Sequence, residues 1–138
     1  MSEAREQFPI GLTGEATVTV GAELTAQHMG SGAVSVFATP EMVRLMERAA
    51  VNALAPRLSP GQQSVGTLVN VRHLAATPLG AAVTARAELI AVDGRRLTFR
   101  VSASDGIEPI GEGLHERALI DLARFEQKAV AKRKTLAP

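Results

Sequence analysis

The chain predicts an α+β domain in which a curved antiparallel β-sheet wraps around one long helix. Three observations carry this. Only one stretch of the 138 residues has a strong amphipathic helical period, from about Pro40 to Leu54. Four segments after it, and one before it, alternate apolar and polar residues as half-buried strands do. Short turns, among them Asp93-Gly94, join the later segments as a meander. A single helix with a broad apolar side needs a sheet to lie against. Strands with one polar face suit a sheet whose outer side is wet or paired. The length fits one domain, 1–138, and no repeat or linker divides it.

Residues 1–12 read as an irregular lead-in, because Pro9 and Gly11 discourage regular structure. Glu15 to Val20 alternates and predicts the first strand, and Gly30-Ser31-Gly32 marks a flexible loop. Ala38-Thr39-Pro40-Glu41 then opens the helix: threonine suits the cap, and proline at a first-turn position loses only an unused N–H. Steps of about 100° gather Glu41, Arg44, Arg48 and Asn52 in one polar stripe, with apolar residues over the remainder. Pro56 and Ser59-Pro60-Gly61 end the helix.

In the strand that follows, Val65, Thr67, Val69, Val71 and His73 share one face, and Gly66, Leu68, Asn70 and Arg72 the other. Ala75 to Gly80 is a turn. Val83, Ala85, Ala87 and Leu89 form the apolar face of the next strand, and Leu97, Phe99, Val101 and Ala103 that of the strand after Asp93-Gly94. The last strand, His115 to Ala123, sets Ala118, Ile120 and Leu122 against His115, Arg117, Leu119 and Asp121, so His115 belongs to the outward-patterned half. Residues 128–138 read as an irregular, solvated basic tail.

Composition removes several function classes. Hydrophobic and charged shares of 46% and 21% describe an ordinary globular chain. With 3% aromatic residues, no Trp or Tyr and a net charge of +1, the chain lacks the stacking platform and the cationic footprint of a nucleic-acid binder. The absence of cysteine excludes disulfides, thiolate metal sites and thiol nucleophiles. Three scattered histidines offer no metal-binding spacing, and there is no P-loop, GxGxxG or GxSxG pattern. No apolar run reaches the roughly 20 residues of a membrane span, and the opening residues lack a secretory pattern, so a cytoplasmic protein with no membrane association is expected.

Three residues have types and placements unusual for packing alone. Glu47 falls among the apolar positions of the helix, one turn from both Val43 and Val51. Either its head group reaches water at the margin of the stripe, or it is a carboxylate held in a cleft as a general base or nucleophile. His73, on the apolar-type face of its strand and close to a turn, is either a satisfied core histidine or a catalytic one near a sheet edge. Thr39 is explained as an N-cap worth about 1 kcal/mol. Its hydroxyl could instead position a water at a helix N-terminus that favours developing negative charge. Eight residues of helix separate Thr39 from Glu47 by about 12 Å along the axis. A site using both spans a substrate or recruits a second copy of the chain.

Val36-Phe37-Ala38-Thr39, Met46-Glu47-Arg48-Ala49, Val65-Gly66-Thr67, His73 to Gly80, Val92 to Leu97 and Gly113 to Ala118 follow one another in an order that resembles the fluoroacetyl-CoA thioesterase family, a branch of the hotdog-fold thioesterases. The likeness extends over roughly Val34 to Lys128. It implies a hotdog fold and hydrolysis of a short-chain acyl-CoA, with a halogenated acyl group left open, to the free acid and CoA, with no cofactor because coenzyme A is part of the substrate. It also implies a homodimer, with association of two dimers into a tetramer left open, and sites at the subunit interface. The family's catalytic threonine, glutamate and histidine fall on Thr39, Glu47 and His73, and its substrate-contacting glycine and arginine on Gly66 and Arg117, His73 also meeting the substrate. The likeness stops at His28 to Val36, which has no aromatic residue where the fluoroacetyl-specific member has a phenylalanine-bearing lid. Two other readings keep the same fold: a non-catalytic acyl-CoA binding or sensing module, and another hotdog enzyme such as an enoyl-CoA hydratase.

Overall fold

The computed structural model describes residues 3–136. The elements run α1 (Glu3–Gln7), β1 (Thr13–Thr19), α2 (Ala26–Met29), α3 (Thr39–Leu54), β2 (Gln62–His73), β3 (Ala82–Asp93), β4 (Arg96–Ser104), β5 (Pro109–Asp121) and α4 (Leu122–Lys134). The five strands form one antiparallel sheet in the order β1-β3-β4-β5-β2, curled around α3. This is the curved sheet and central helix that the alternation patterns predict.

Helix α3 lies mainly over β1 and β3. Gly14 makes that approach possible, because a Cβ there would collide with the backbone of Ala49 and Ala53. Met42, Leu45, Met46, Ala49, Ala50, Ala53 and Leu54 are buried against Val83, Ala85, Ala87 and Leu89 of β3 and Leu97, Phe99, Val101 and Ala103 of β4. Those strand faces are the ones the two-residue period selects.

Strand β2 departs from its pattern. It is an edge strand paired only with β5 among the described residues, and the helix leaves it largely uncovered. Its register with β5 shifts between Gly66 and Leu68, so Thr67 is an extra residue in the ladder. Gly66 pairs with Arg117 and Val69 with His115, which puts both on the helix side. Strict alternation had separated them. One inserted residue reverses the facing of everything before it.

Both chain ends correct the expectation of irregular structure. In the lead-in, Glu3–Gln7 is helical because Ala4 and Phe8 anchor it: both are buried in the core, Phe8 completely, and Phe8 N–H donates to the Ala4 carbonyl at 2.8 Å. The basic end belongs to α4, which runs through Lys134 with no buried residue. The last strand therefore stops at Asp121, whose side chain caps the helix by accepting from Arg124 N–H at 3.0 Å. Lys132, Arg133 and Lys134 in its last turn complement the helix dipole. Met1, Ser2, Ala137 and Pro138, counted in the expected irregular ends, lie outside the described residues.

Candidate active site

Two polar clusters lie along α3, one at its N-terminus and one at its middle. At the N-terminus, Ala38 and not Thr39 is the cap residue; Thr39 is the first helical residue and makes no side-chain cap. This corrects the reading of Thr39 as an N-cap. Its Oγ1 instead lies 2.7 Å from Nδ1 of His73, the last residue of β2. The hydroxyl can donate to or accept from the ring, according to tautomer. The other ring nitrogen, Nε2, is shielded and meets no hydrogen-bond partner among the described residues. Desolvation by burial lowers the His73 pKa, favouring the neutral imidazole. A buried polar atom without a partner is uncommon in a pure packing site.

The Thr39–His73 pair lines a cleft of about 360 Å³ with Val34, Val36, Phe37 and Ala75. Its position follows from the loop before α3. Phe37 is buried and donates its N–H to the Thr77 carbonyl, while Ala38 N–H donates to Leu24, so the helix start is pinned beside the end of β2. A larger hollow of about 590 Å³, bordered by Gln7, Arg95 and Asp121, contains none of the candidate residues.

At the middle of α3, Glu47 Oε2 lies 3.8 Å from Arg117 Nη1. The carboxylate side chain is 40% exposed and the arginine 7%, so the pair bridges the open side of the sheet and its interior. The Glu47 head group thus reaches water at the margin of the helix stripe and also faces a buried cation. Arg117 further donates from Nε to Ser64 Oγ at 2.8 Å and from Nη2 to the Ser64 carbonyl at 3.0 Å. Gly66 sits against this pair, and a Cβ there would stand 2.8 Å from Glu47 Oε2 and 3.4 Å from Arg117 Nη1.

The fold thus gathers Thr39 with His73, and Glu47 with Gly66 and Arg117, but leaves the two groups separated along the helix. His115 and Ser64 escaped the reading from sequence. His115 is fully buried and Arg117 nearly so, on the helix side of β5, which corrects the outward assignment of that half-strand. The apolar alternates Ala118 and Ile120 had marked the opposite face as the core. Gly66 opposite Arg117 was the available signal that the inner face makes room for polar groups. Among the described residues, no group of three His, Asp or Glu side chains converges as a metal site would require, and no helix is long and apolar enough to cross a membrane.

Comparison with known proteins gives a consistent answer. The sequence model of the fluoroacetyl-CoA-specific thioesterase family matches residues 16–123. A fluoroacetyl-CoA thioesterase from Streptantibioticus cattleyicolor is 58% identical over 93 residues, covering 67% of each chain. A solved structure of a fluoroacetyl-CoA thioesterase variant in complex with fluoroacetate is 45% identical, covers 89% of this chain and 97% of its own, and superposes with a TM-score of 0.82. A hot-dog-like protein from Thermanaerovibrio acidaminovorans is 26% identical and covers 99% of both chains with a TM-score of 0.86.

Proposed function

The chain belongs to the fluoroacetyl-CoA-specific thioesterase family, and from that premise we propose that it hydrolyses a short-chain, halogenated acyl-CoA using Thr39, Glu47 and His73. It is a thioester hydrolase of the hotdog fold. The observation that carries the site assignment is the 2.7 Å bond between Thr39 Oγ1 and His73 Nδ1, made from the first residue of the helix beside a cleft.

Hydrolysis forms a carbon–oxygen bond from water to the acyl carbonyl and breaks the carbon–sulfur bond. The water's protons are divided between the departing thiolate and the medium. Glu47 serves as base or nucleophile at the thioester carbonyl. Thr39 orients the attacking water or hydrogen-bonds the acyl group, and neutral His73 shuttles a proton or polarises the substrate. The first turn of α3 favours the negative charge that develops on the carbonyl oxygen. The Gly66 backbone and Arg117 meet the acyl portion. The reaction needs no cofactor, because coenzyme A arrives as part of the substrate.

A homodimer completes the proposal, and it resolves the separation of about 12 Å between Thr39 and Glu47. Strand β2 is a 12-residue edge, with Leu68 43% and Val69 40% exposed. A long apolar edge strand is a template for a second chain. Sites at such an interface can take Thr39 and His73 from one copy and Glu47 from the other. The same reading makes 1–138 one catalytic domain and sets it in the cytoplasm.

The experiment is a thiol-release assay over a panel of short acyl-CoAs, halogenated ones included, with the mass of the enzyme species followed by sedimentation. The reading expects release of CoA from fluoroacetyl-CoA by a dimer. Tight binding without thiol release would favour a sensing module, and loss of enoyl absorbance from a crotonyl substrate would favour a hydratase. Full activity from a monomer would contradict the dimer.

A further inference from the structure

His115 has no role in the scheme above, yet its surroundings fix its chemical state. The Leu68 carbonyl lies 2.8 Å from Nδ1 and can only accept, so Nδ1 carries the hydrogen. Nη1 of Arg117 lies 3.1 Å from Nε2 and can only donate, so Nε2 presents its lone pair. The neutral Nδ1–H tautomer is the one form that satisfies both neighbours. Leu68 comes directly after the extra residue Thr67, whose hydroxyl donates to the Glu116 carbonyl at 3.2 Å. The imidazole also lies against Phe99, with ring centroids 6.4 Å apart and planes inclined by 28°.

We propose that His115 is a positioning residue that accepts from Arg117 and, together with Ser64, sets the plane of that guanidinium against Glu47. The inference rests on the reading of Arg117 as a substrate contact and of Glu47 as catalytic. Arg117 uses Nε and Nη2 on Ser64 and Nη1 on His115, so three of its donors are committed to protein partners before a substrate arrives. A guanidinium held on two sides presents its remaining N–H groups in one orientation, the condition for a preorganised contact. The charged groups facing the imidazole are Arg117 on its own strand and Glu47 from α3. Burial, with help from the Arg117 charge, lowers the His115 pKa and keeps Nε2 free to accept, against the opposing pull of the Leu68 carbonyl and Glu47.

The competing account is that His115 only fills space beside Phe99. His115→Phe keeps the ring and loses both hydrogen bonds, whereas His115→Gln keeps one donor and one acceptor on a planar group. Thiol release by each, in the wild-type and Arg117→Ala backgrounds, separates the accounts. Positioning predicts that His115→Phe lowers kcat/KM about 10- to 100-fold, the equivalent of a hydrogen bond to a charged group. It predicts that His115→Gln restores most of that loss, and that His115→Phe changes the Arg117→Ala enzyme by less than about twofold. A space-filling role predicts the reverse order of the two variants and a loss that persists without Arg117. Independently of activity, nitrogen-15 spectra of the histidine-labelled wild-type protein at pH 7 should show His115 protonated at Nδ1 and bare at Nε2. The opposite tautomer, or a doubly protonated ring, overturns the proposal. A wild-type enzyme that releases no thiol while showing the Nδ1–H tautomer would instead refute the assigned reaction and leave the Arg117 clamp standing.

Discussion

The hydroxyl of Thr39 and the imidazole of His73 meet at 2.7 Å although 34 residues separate them in the chain. One is the first residue of α3 and the other the last of β2. Their contact joins the helix N-terminus to the open edge of the sheet, where a short hydrogen bond and a cleft coincide.

Removing the Thr39 hydroxyl should cost activity and little stability. Because Ala38 is the cap, Thr39→Ala should shift the unfolding free energy by less than the ~1 kcal/mol of a lost N-cap. Thiol release should fall by about 10²-fold or more, on the scale of a lost catalytic hydrogen bond, with Thr39→Ser retaining more activity than Thr39→Ala. Urea unfolding and steady-state kinetics on the same preparations decide this.

Gly66→Ala should act on the carboxylate. The new Cβ would stand 2.8 Å from Glu47 Oε2, and the far end of a flexible side chain can swing away. The expected outcome is a folded protein with unfolding within about 1 kcal/mol of wild type and kcat reduced about tenfold or more. Unchanged kcat would mean that the position of Glu47 does not limit turnover.

Acid should weaken both stability and turnover. His73 and His115 have folded-state pKa values below the ordinary imidazole value of 6.5, each chiefly through desolvation. The unfolded chain therefore binds more protons than the folded one as pH falls below 6.5, and stability declines until the folded histidines are themselves protonated. Asp105 adds to this: hydrogen bonds from the Glu108 and Ile107 N–H groups lower its pKa, so its contribution is lost as pH falls through its folded value. Denaturant midpoints from pH 8 to 4 should fall on the acid side through the histidines, and the Asp105 contribution should be lost only below the ordinary carboxylate value of 3.8. The His73-dependent limb of kcat/KM should lie below 6.5, and a limb above it would contradict the neutral imidazole.

Phe8→Ala should destabilise the domain by about 3–5 kcal/mol, the usual cost of emptying a phenylalanine site in a core. A cost near zero would mean that the lead-in does not belong to the fold in solution. Circular dichroism melting and urea titration provide the check.

Much of the architecture was legible because burial imposes a period. The faces Val83-Ala85-Ala87-Leu89 and Leu97-Phe99-Val101-Ala103 could be assigned directly, since each lies under α3 and carries no functional side chain. The pattern failed where polar groups occupy the inner face. On β5 the buried set includes His115 and Arg117, and period alone then selects the wrong side. On β2 the extra residue Thr67 shifts the face midway, which no count of alternation can anticipate. Phe8 was hidden by its neighbour Pro9, because a lone aromatic residue beside a breaker has no period to report. Among the candidate site residues, Thr39, Glu47 and His73 stood out by type and placement and Gly66 and Arg117 through family resemblance, but their grouping was not legible. That Thr39 faces His73, and that Glu47 faces Arg117 and not His73, depends on how the edge strand ends beside the helix start.

The account turns on whether Thr39, Glu47 and His73 carry thioester cleavage. The most direct measurement is thiol release from fluoroacetyl-CoA by the wild-type protein and by Thr39→Ala, Glu47→Ala and His73→Ala, each shown by its unfolding curve to be native. The account predicts rapid release by the wild type and a loss of about 10²-fold or more in each variant. Wild-type rates in all three folded variants would contradict it.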